Sequence, residues 1–401
     1  MSDNKTLTIL CLASYHKGTA FLRKAKELGC HVILVAKDTL KDEDWPDESI
    51  DECFFMPDLT RRPDIIYAVS YLARERQIDR IVPLDDYDVE TAASLREHLR
   101  LPGIGETLVR YFRDKLAMRM QALRAGIAVP AFIPVINYDR IREFMAHVSP
   151  PWVLKPRSEA GAMGIKKIHD PEQLWRWLDE LGDEQSFFLL EQYVAGDVYH
   201  VDGIVSEKKV VFALAHRYGA PPMNVAHEGG VFVTRTLSRA SGEARELLTL
   251  NKQLMKALGM VRGATHTEFI RGQDGTFYFL ETAARVGGAN IDLLVEAATG
   301  INLWEEWAKI EVANLRGESY DVPHAREEYA GLLVCLAQQE WPDLSSFTES
   351  EVVWRLRKRH HAGLILASKD VKRVESLLDS YVMRFAQDFL AIAPPLDKPP
   401  A

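Results

Sequence analysis

The sequence has few cysteines, and none are paired. Cys11, Cys30, Cys53 and Cys335 are scattered through 401 residues without a C-x-x-C pair. That excludes a disulfide framework and a Cys-rich zinc site, and points to reduced thiols in a cytoplasmic protein. No apolar run approaches the length of a bilayer span, so no membrane partner is expected. There is no basic tract and the formal net charge is −9, which argues against nucleic acid as a partner. The first residues, MSDNKTLTIL, are polar and lead into a strand, so no signal peptide is expected. Two phosphate-binding fingerprints are also missing. The first strand–helix turn, ASYHKGTA, lacks G-x-G-x-x-G, and no G-K-[ST] of a Walker A loop occurs.

What is present suggests two or three domains, because the chain is too long for one small core. Residues 7–13 and 31–36 are short apolar runs expected to be buried parallel strands, with a helical segment ending at Gly29 between them. DRIVPL at 79–84 and the helix VETAASLREHL continue the alternation. Residues 1–110 are therefore expected to form a doubly wound, Rossmann-like α/β domain. From Arg110 onward the pattern changes to mixed α+β. A central unit is expected over 111–195, carrying a glycine-bearing loop, and a C-terminal unit over 196–393. The latter ends in strands at 329–337 and 361–368 and a helix with Val371, Val374, Leu377, Leu378, Tyr381, Val382 and Phe385 on one face. The tail 394–401 is Pro-rich and expected to be disordered.

The stretch TFYFLETAARVGGANI, 276–291, ends an apolar run in Glu281 and follows it with Arg285, Gly287, Gly288 and Asn290. It is preceded by ATHTEFIRGQDG, and Asp274-Gly275 is a hairpin signal. With a two-residue loop, Glu268 lies opposite Glu281. With a four-residue loop, Glu281 faces His266 and Glu268 becomes its diagonal neighbour. Either register puts both acids on one face within roughly 5–8 Å, and only an odd-length loop would separate them. Two acids this close need a shared proton or a cation, and oxygen ligands of this kind suit Mg²⁺. The alternative is two acids on a solvated sheet face.

Further pieces bear on that choice. VLKPRSEAGAMGIKKI places Lys155 at the end of an apolar strand, followed by a loop containing Ser158, Gly161 and Gly164. Small residues let backbone amides approach phosphate oxygens, and lysine adds a point charge. LLEQYVAGD ends an apolar run at Glu191, with Tyr193 and Val194 just before Gly196. Such a strand entering a linker can offer backbone groups and an acid to a purine edge. Asp114-Lys115 precedes the helix LAMRMQAL.

In this order (DK, then G-I-x-V-P, VLKP with its Gly loop, E-x-Y-V-x-G, H-x-E, a hairpin and E-x-x-x-R-x-G-G) the chain resembles the ATP-grasp enzymes over most of residues 1–320. The resemblance implies an ATP-grasp fold with an N-terminal Rossmann-like domain. It also implies phosphorylation of a carboxylate by ATP to an acyl phosphate, followed by attack of an amine. Lys115 and Lys155 would touch ATP phosphates, and the loop from Ser158 to Gly164 would close over them. Glu191, Tyr193 and Val194 would line the adenine site. Glu268 and Glu281 would bind Mg²⁺, or Mn²⁺ in its place, and Arg285 would stabilise the transferring phosphoryl group.

Two departures refine the resemblance. Ala283 stands where many relatives carry an additional metal ligand, Asn. Val198 stands where an acid often holds the ribose, leaving Asp197 or His200 as substitutes. The run E-T-A-A-R-V-G-G-A-N is similar to the pattern of bacterial L-amino-acid ligases, which join two unprotected amino acids. On that resemblance, Gly287, Gly288 and Asn290 lie at the substrate carboxylate. His266 positions the amine, takes its proton, or is a packed neighbour. Ala289 leaves room for a substrate side chain. Segment 216–236, with Tyr218, Met223 and His227, is expected to be a long loop, either a second cover or an ordinary surface loop. Many relatives are homodimers. A biotin-carboxylase-like enzyme and an inactive ATP-binding module are the alternative readings.

Overall fold

The computed structural model describes residues 6–392; the expected disordered tail, 394–401, lies outside them. Strands Thr8–Ala13 and His31–Lys37 pair in parallel, with Glu52–Met56 on one side and Arg80–Pro83 on the other. Their interiors are apolar throughout, as a sheet covered on both faces requires. Helices Thr19–Glu27 and Arg62–Leu72 form crossovers, and Val89–Leu99 follows the last strand.

A second, antiparallel sheet joins Phe132–Pro134, Phe188–Gln192, Trp152–Pro156 and Lys166–Ile168, in that spatial order. The amphipathic helix Pro171–Leu181 buries Leu174 and Leu178 against its core. Asp170 caps this helix by accepting from the Gln173 amide.

The third sheet has eight strands. At one end the hairpin Gly263–Gly272 and Phe277–Ala283 pairs with the long strand Gly196–Ser206. At the other, Tyr329–Leu336, Val352–Arg355 and His361–Ser368 are covered by the helix Val371–Asp388. This helix buries Val374, Leu377, Leu378, Tyr381 and Phe385, as its periodicity predicts, while Val371 and Val382 are only half-buried.

The N-terminal sheet is packed firmly onto the third. Ile9, Cys11 and Leu34 share one core with Trp304, Trp307, Leu332 and Ile365. The sequence pattern groups the helix Lys115–Arg124 with the central unit. It instead packs its Met118 and Ala122 into the core of the large sheet, beside Leu254, Phe269 and Phe279. The segment 216–236 is not a long loop: it holds the end of strand Lys209–Tyr218, the helix Pro222–Glu228 and strand Phe232–Thr236. Its Pro and Gly residues mark the turns between these elements. Among the described residues, no helix is long and apolar enough to cross a membrane.

Candidate functional site

The cleft between the second and third sheets is a cavity of about 450 Å³. Its floor is the hairpin. Gly275, at φ 82°, closes a three-residue loop in which the Gly275 amide bonds the Gly272 carbonyl and the Gly272 amide bonds that of Thr276. The loop is therefore odd, the case expected to separate the two acids. A bulge corrects it. Phe269 pairs with Phe279, but Glu268 pairs with Glu281, so Leu280 is the extra residue. Leu280 and Glu281 both reach the cleft, and the two acids stand directly opposite each other.

Each acid is held by named partners. Glu268 Oε1 accepts from Tyr218 Oη at 2.8 Å, and His266 Nε2 lies 3.4 Å away. Glu281 Oε2 is 3.0 Å from Lys115 Nζ. Burial raises the pKa of Glu281, but Lys115 and Lys155 outweigh it and hold the carboxyl down at about 2. Glu281 is thus an anion, and the opposed pair supplies the all-oxygen donor set that suits a magnesium ion. Ala283, opposite His266, contributes no ligand.

The wall opposite is the second sheet. Lys155 extends from its strand and meets Glu191 Oε1 at 2.5 Å, with both side chains buried. Arg119 donates to Glu191 Oε2 from Nε at 3.2 Å and from Nη2 at 3.0 Å, and also to the Leu280 carbonyl. One carboxylate therefore stands between two cations. Burial lowers Lys155 to about 8, partly offset by Glu191. Burial would raise Glu191, but Lys155 and Arg119 keep it lowered. Tyr193 and Val194 line the cleft with Val153, Val198, Ile270 and Leu280, giving a mainly apolar slot. Gly196 has no room for a side chain, since a Cβ would lie 1.9 Å from the Arg271 carbonyl oxygen.

Two segments cover the slot. In the glycine loop, Gly161, Ala162, Met163 and Ile165 face the cleft. Ser158 anchors this loop instead, its carbonyl accepting from Arg113, and Gly164, at φ 66°, shapes the turn. The loop's Glu159 accepts from Tyr87 at 3.2 Å and from Lys115 through its carbonyl. From the other side, Met223 lines the cleft, and His227 reaches the Ala162 carbonyl at 3.4 Å.

Arg285, Gly288 and Ala289 complete the lining at the hairpin's far end. Arg285 donates to the Val286 carbonyl at 2.9 Å and faces Asp86 at 3.6 Å, while its buried Nε has no hydrogen-bond partner. Gly287 and Asn290 do not reach the cleft as expected. Gly287 is buried where a Cβ would come within 2.9 Å of Asp202 and 3.0 Å of His266. Asn290, at φ 64°, is the left-handed cap of helix Ile291–Thr299 and lies outside the cleft lining.

His200 is not available as the ribose contact that the resemblance suggests. It shares the strand face of Val198 but is fully buried behind Tyr218, bonded to Asp202 at 2.6 Å and Thr234 at 2.6 Å. Its rings stack on His216, 4.6 Å between centroids. The other substitute, Asp197, pairs with Arg217 at 2.8 Å. His266 donates to Asp202 at 2.9 Å. Burial would lower its pKa, but Asp202 and Glu268 raise it to about 10. An imidazolium has no lone pair to take a proton, so His266 is a donor rather than a base.

Sequence reasoning missed Arg119, Asp202 and Asp86. The signal for Asp202 was a carboxylate inside the apolar run HVDGIV. Arg119 gave none, being one of several basic residues on a helix with no polar face.

Residues 22–103 match the family model of the ATP-grasp N-terminal domain, and residues 148–292 match that of the ATP-grasp domain. Together they cover more than half the chain. An L-arginine-specific L-amino acid ligase of Bacillus subtilis is 26% identical over 269 residues, 65% of this chain and 64% of that protein. The match thus spans less than two thirds of the relative's length. The crystal structure of an L-amino acid ligase from Bacillus licheniformis superposes with a TM-score of 0.76 at 19% identity, covering 97% of this chain and 99% of that one. The biotin carboxylase domain of Hydrogenobacter thermophilus 2-oxoglutarate carboxylase, solved with MgADP and bicarbonate, has a TM-score of 0.71 at 16% identity, covering 92% and 88%. At these identities the structural matches show a shared fold.

Proposed function

The chain belongs to the ATP-grasp superfamily, and we propose that it is an ADP-forming carboxylate–amine ligase that joins amino acids or similar small acids and amines. The observation that carries this reading is the pairing of Glu268 with Glu281 across the cleft from Lys155. The sequence similarity to an amino acid ligase favours an amino acid over bicarbonate as the acid.

Tyr193 and Val194 in the apolar slot would hold the base of ATP, and Lys115, Lys155 and the loop 158–164 its phosphates. Glu268 and Glu281 would hold magnesium, which would neutralise charge on the phosphate oxygens. Arg285, its Nε turned to Asp86, presents its guanidinium to the acceptor carboxylate from the cleft wall. This guanidinium orients the carboxylate oxygen toward the γ-phosphate and steadies the charge that spreads over the transferring group. Gly288 and Ala289 leave space there for a substrate side chain. Asp202 holds His266 against Glu268 and so fixes the face on which the amine arrives. The loop 158–164 and the helix Pro222–Glu228, joined through His227 and Ala162, keep water from the acyl phosphate. The four thiols are free, which supports a reducing, cytoplasmic setting.

The test is a matrix of amino acids and small diacids incubated with ATP and magnesium, reading phosphate release and identifying products by mass. Phosphate release dependent on an amino acid pair, with the matching amide, is expected. Release dependent on bicarbonate and biotin, or none with any acid, would sink the proposal.

A further inference from the structure

A second, smaller cavity lies behind the loop that carries Arg285, and three arginines are among its lining residues. Its volume is about 20 Å³, enough for one water-sized particle and too small for a phosphate or an amino acid. Arg80 and Arg96 enter from the N-terminal domain. Arg262 enters from the turn before strand Gly263–Gly272, and Glu311 with Trp307 from helix Leu303–Arg316. Ala284, the neighbour of Arg285, forms part of the wall.

The charges in this cavity do not balance. Arg80 and Arg262 have side chains only 2% and 9% exposed. Glu311, 5% exposed, is the buried carboxylate among them. Glu207 touches Arg262 Nη2 at 3.1 Å but is 63% exposed, so water screens it. Three guanidinium groups thus face one buried anion. Burying an unpaired charge costs several kcal/mol.

The hydrogen bonds are unevenly filled as well. Arg96 spends its donors on the carbonyls of Ile81 and Ile104. Arg80 gives Nη1 to Pro102 and Nη2 to Asn314, but its buried Nε, 3.1 Å from Glu311 Oε2, makes no hydrogen bond. Arg262 Nε and Nη1 are buried without a partner. Glu311 Oε2, which faces Arg80 Nε, is likewise without a hydrogen bond, so the donors left open are Nε and Nη1 of Arg262, in the cluster where positive charge is in excess.

We propose that this cavity is a binding site for a single chloride-sized anion. A water molecule would satisfy the donors but leave the charge uncompensated, whereas a halide does both. The arginines' mutual repulsion agrees with this. Burial above all, with Arg80 and Arg262, lowers Arg96 to about 10 against the pull of Glu311. The bound anion ties the N-terminal sheet to the large sheet directly beneath the Arg285 loop.

The test needs no enzymatic activity. Full-length protein in sodium gluconate is titrated with sodium chloride or bromide at constant ionic strength, and thermal unfolding is followed. A saturable rise in Tm, on the order of a few degrees, is expected with both halides and absent with gluconate. Arg262→Gln should lose the rise. Crystals grown in bromide should show an anomalous peak beside Arg262 Nε and Nη1, and this decides the matter if the variant does not fold. Equal Tm in all three salts, or a bromide map without that peak, would overturn the proposal and leave water in the cavity.

Discussion

Asp202 accepts a 2.9 Å hydrogen bond from His266, and the far side of that imidazole looks at Glu268 across 3.4 Å. The same carboxylate holds His200 at 2.6 Å, so two buried imidazoles depend on it. Asp202→Asn should lower stability by roughly 3–5 kcal/mol, the usual loss when one partner of a buried pair is removed. In the folded fraction, kcat should fall while the KM for ATP stays near the wild-type value, because the amine side and not the nucleotide slot is disturbed. Steady-state kinetics with denaturant unfolding checks this. A raised KM with unchanged kcat would show that the pair serves the nucleotide instead.

Lys155 sets a pH limit. Burial holds its pKa at about 8 in the free protein, below the roughly 10.4 of an unfolded lysine. The ammonium is complete below about 8 and is lost as pH rises through it, so kcat/KM for ATP should bend downward there. Unfolding at this site does not explain the bend. Between the two values the unfolded chain binds more protons, so this group adds stability as pH rises. Lys155→Arg, which stays charged, should move the bend to higher pH. An identical bend in the variant would assign it to another group.

Gly287 gives space rather than contact. A Cβ there would press on Asp202 and His266 at 2.9 and 3.0 Å. Gly287→Ala should shift the Arg285 loop and cut kcat by roughly a hundredfold, with a stability loss of only about 1–3 kcal/mol. Wild-type kcat in a folded Gly287→Ala protein would mean that the loop's position is not critical.

The parts of the site that follow strand alternation were legible in the sequence. Lys155, Glu191 and Glu281 each end an apolar run, and each faces the cleft. Glu268 was matched to Glu281 on the premise of an even loop, whereas the structure reaches the same pairing by an odd loop and a bulge at Leu280. Nothing in the local pattern announces that bulge, because Leu280 fits a regular strand equally well. Alternation also gives a face but not a depth. His200 sits on the expected face, yet Tyr218 from the neighbouring strand covers it. Arg119, reaching Glu191 across 72 positions in sequence, depends on tertiary packing that no local window contains. The strand–helix alternation of the N-terminal domain is clear because each apolar run and each amphipathic helix is legible by itself, although the pairing of Thr8–Ala13 with Arg80–Pro83 is long-range.

The most direct test of the account follows an oxygen atom. If Arg285 and the metal-binding pair present a carboxylate to the γ-phosphate, one carboxylate oxygen must leave with the phosphate when the amine attacks. With an amino acid labelled at its carboxylate with heavy oxygen, the inorganic phosphate released alongside ADP should carry the label, one atom per amide formed. Unlabelled phosphate, or the label found in AMP, would contradict the acyl phosphate and with it the role assigned to this cleft.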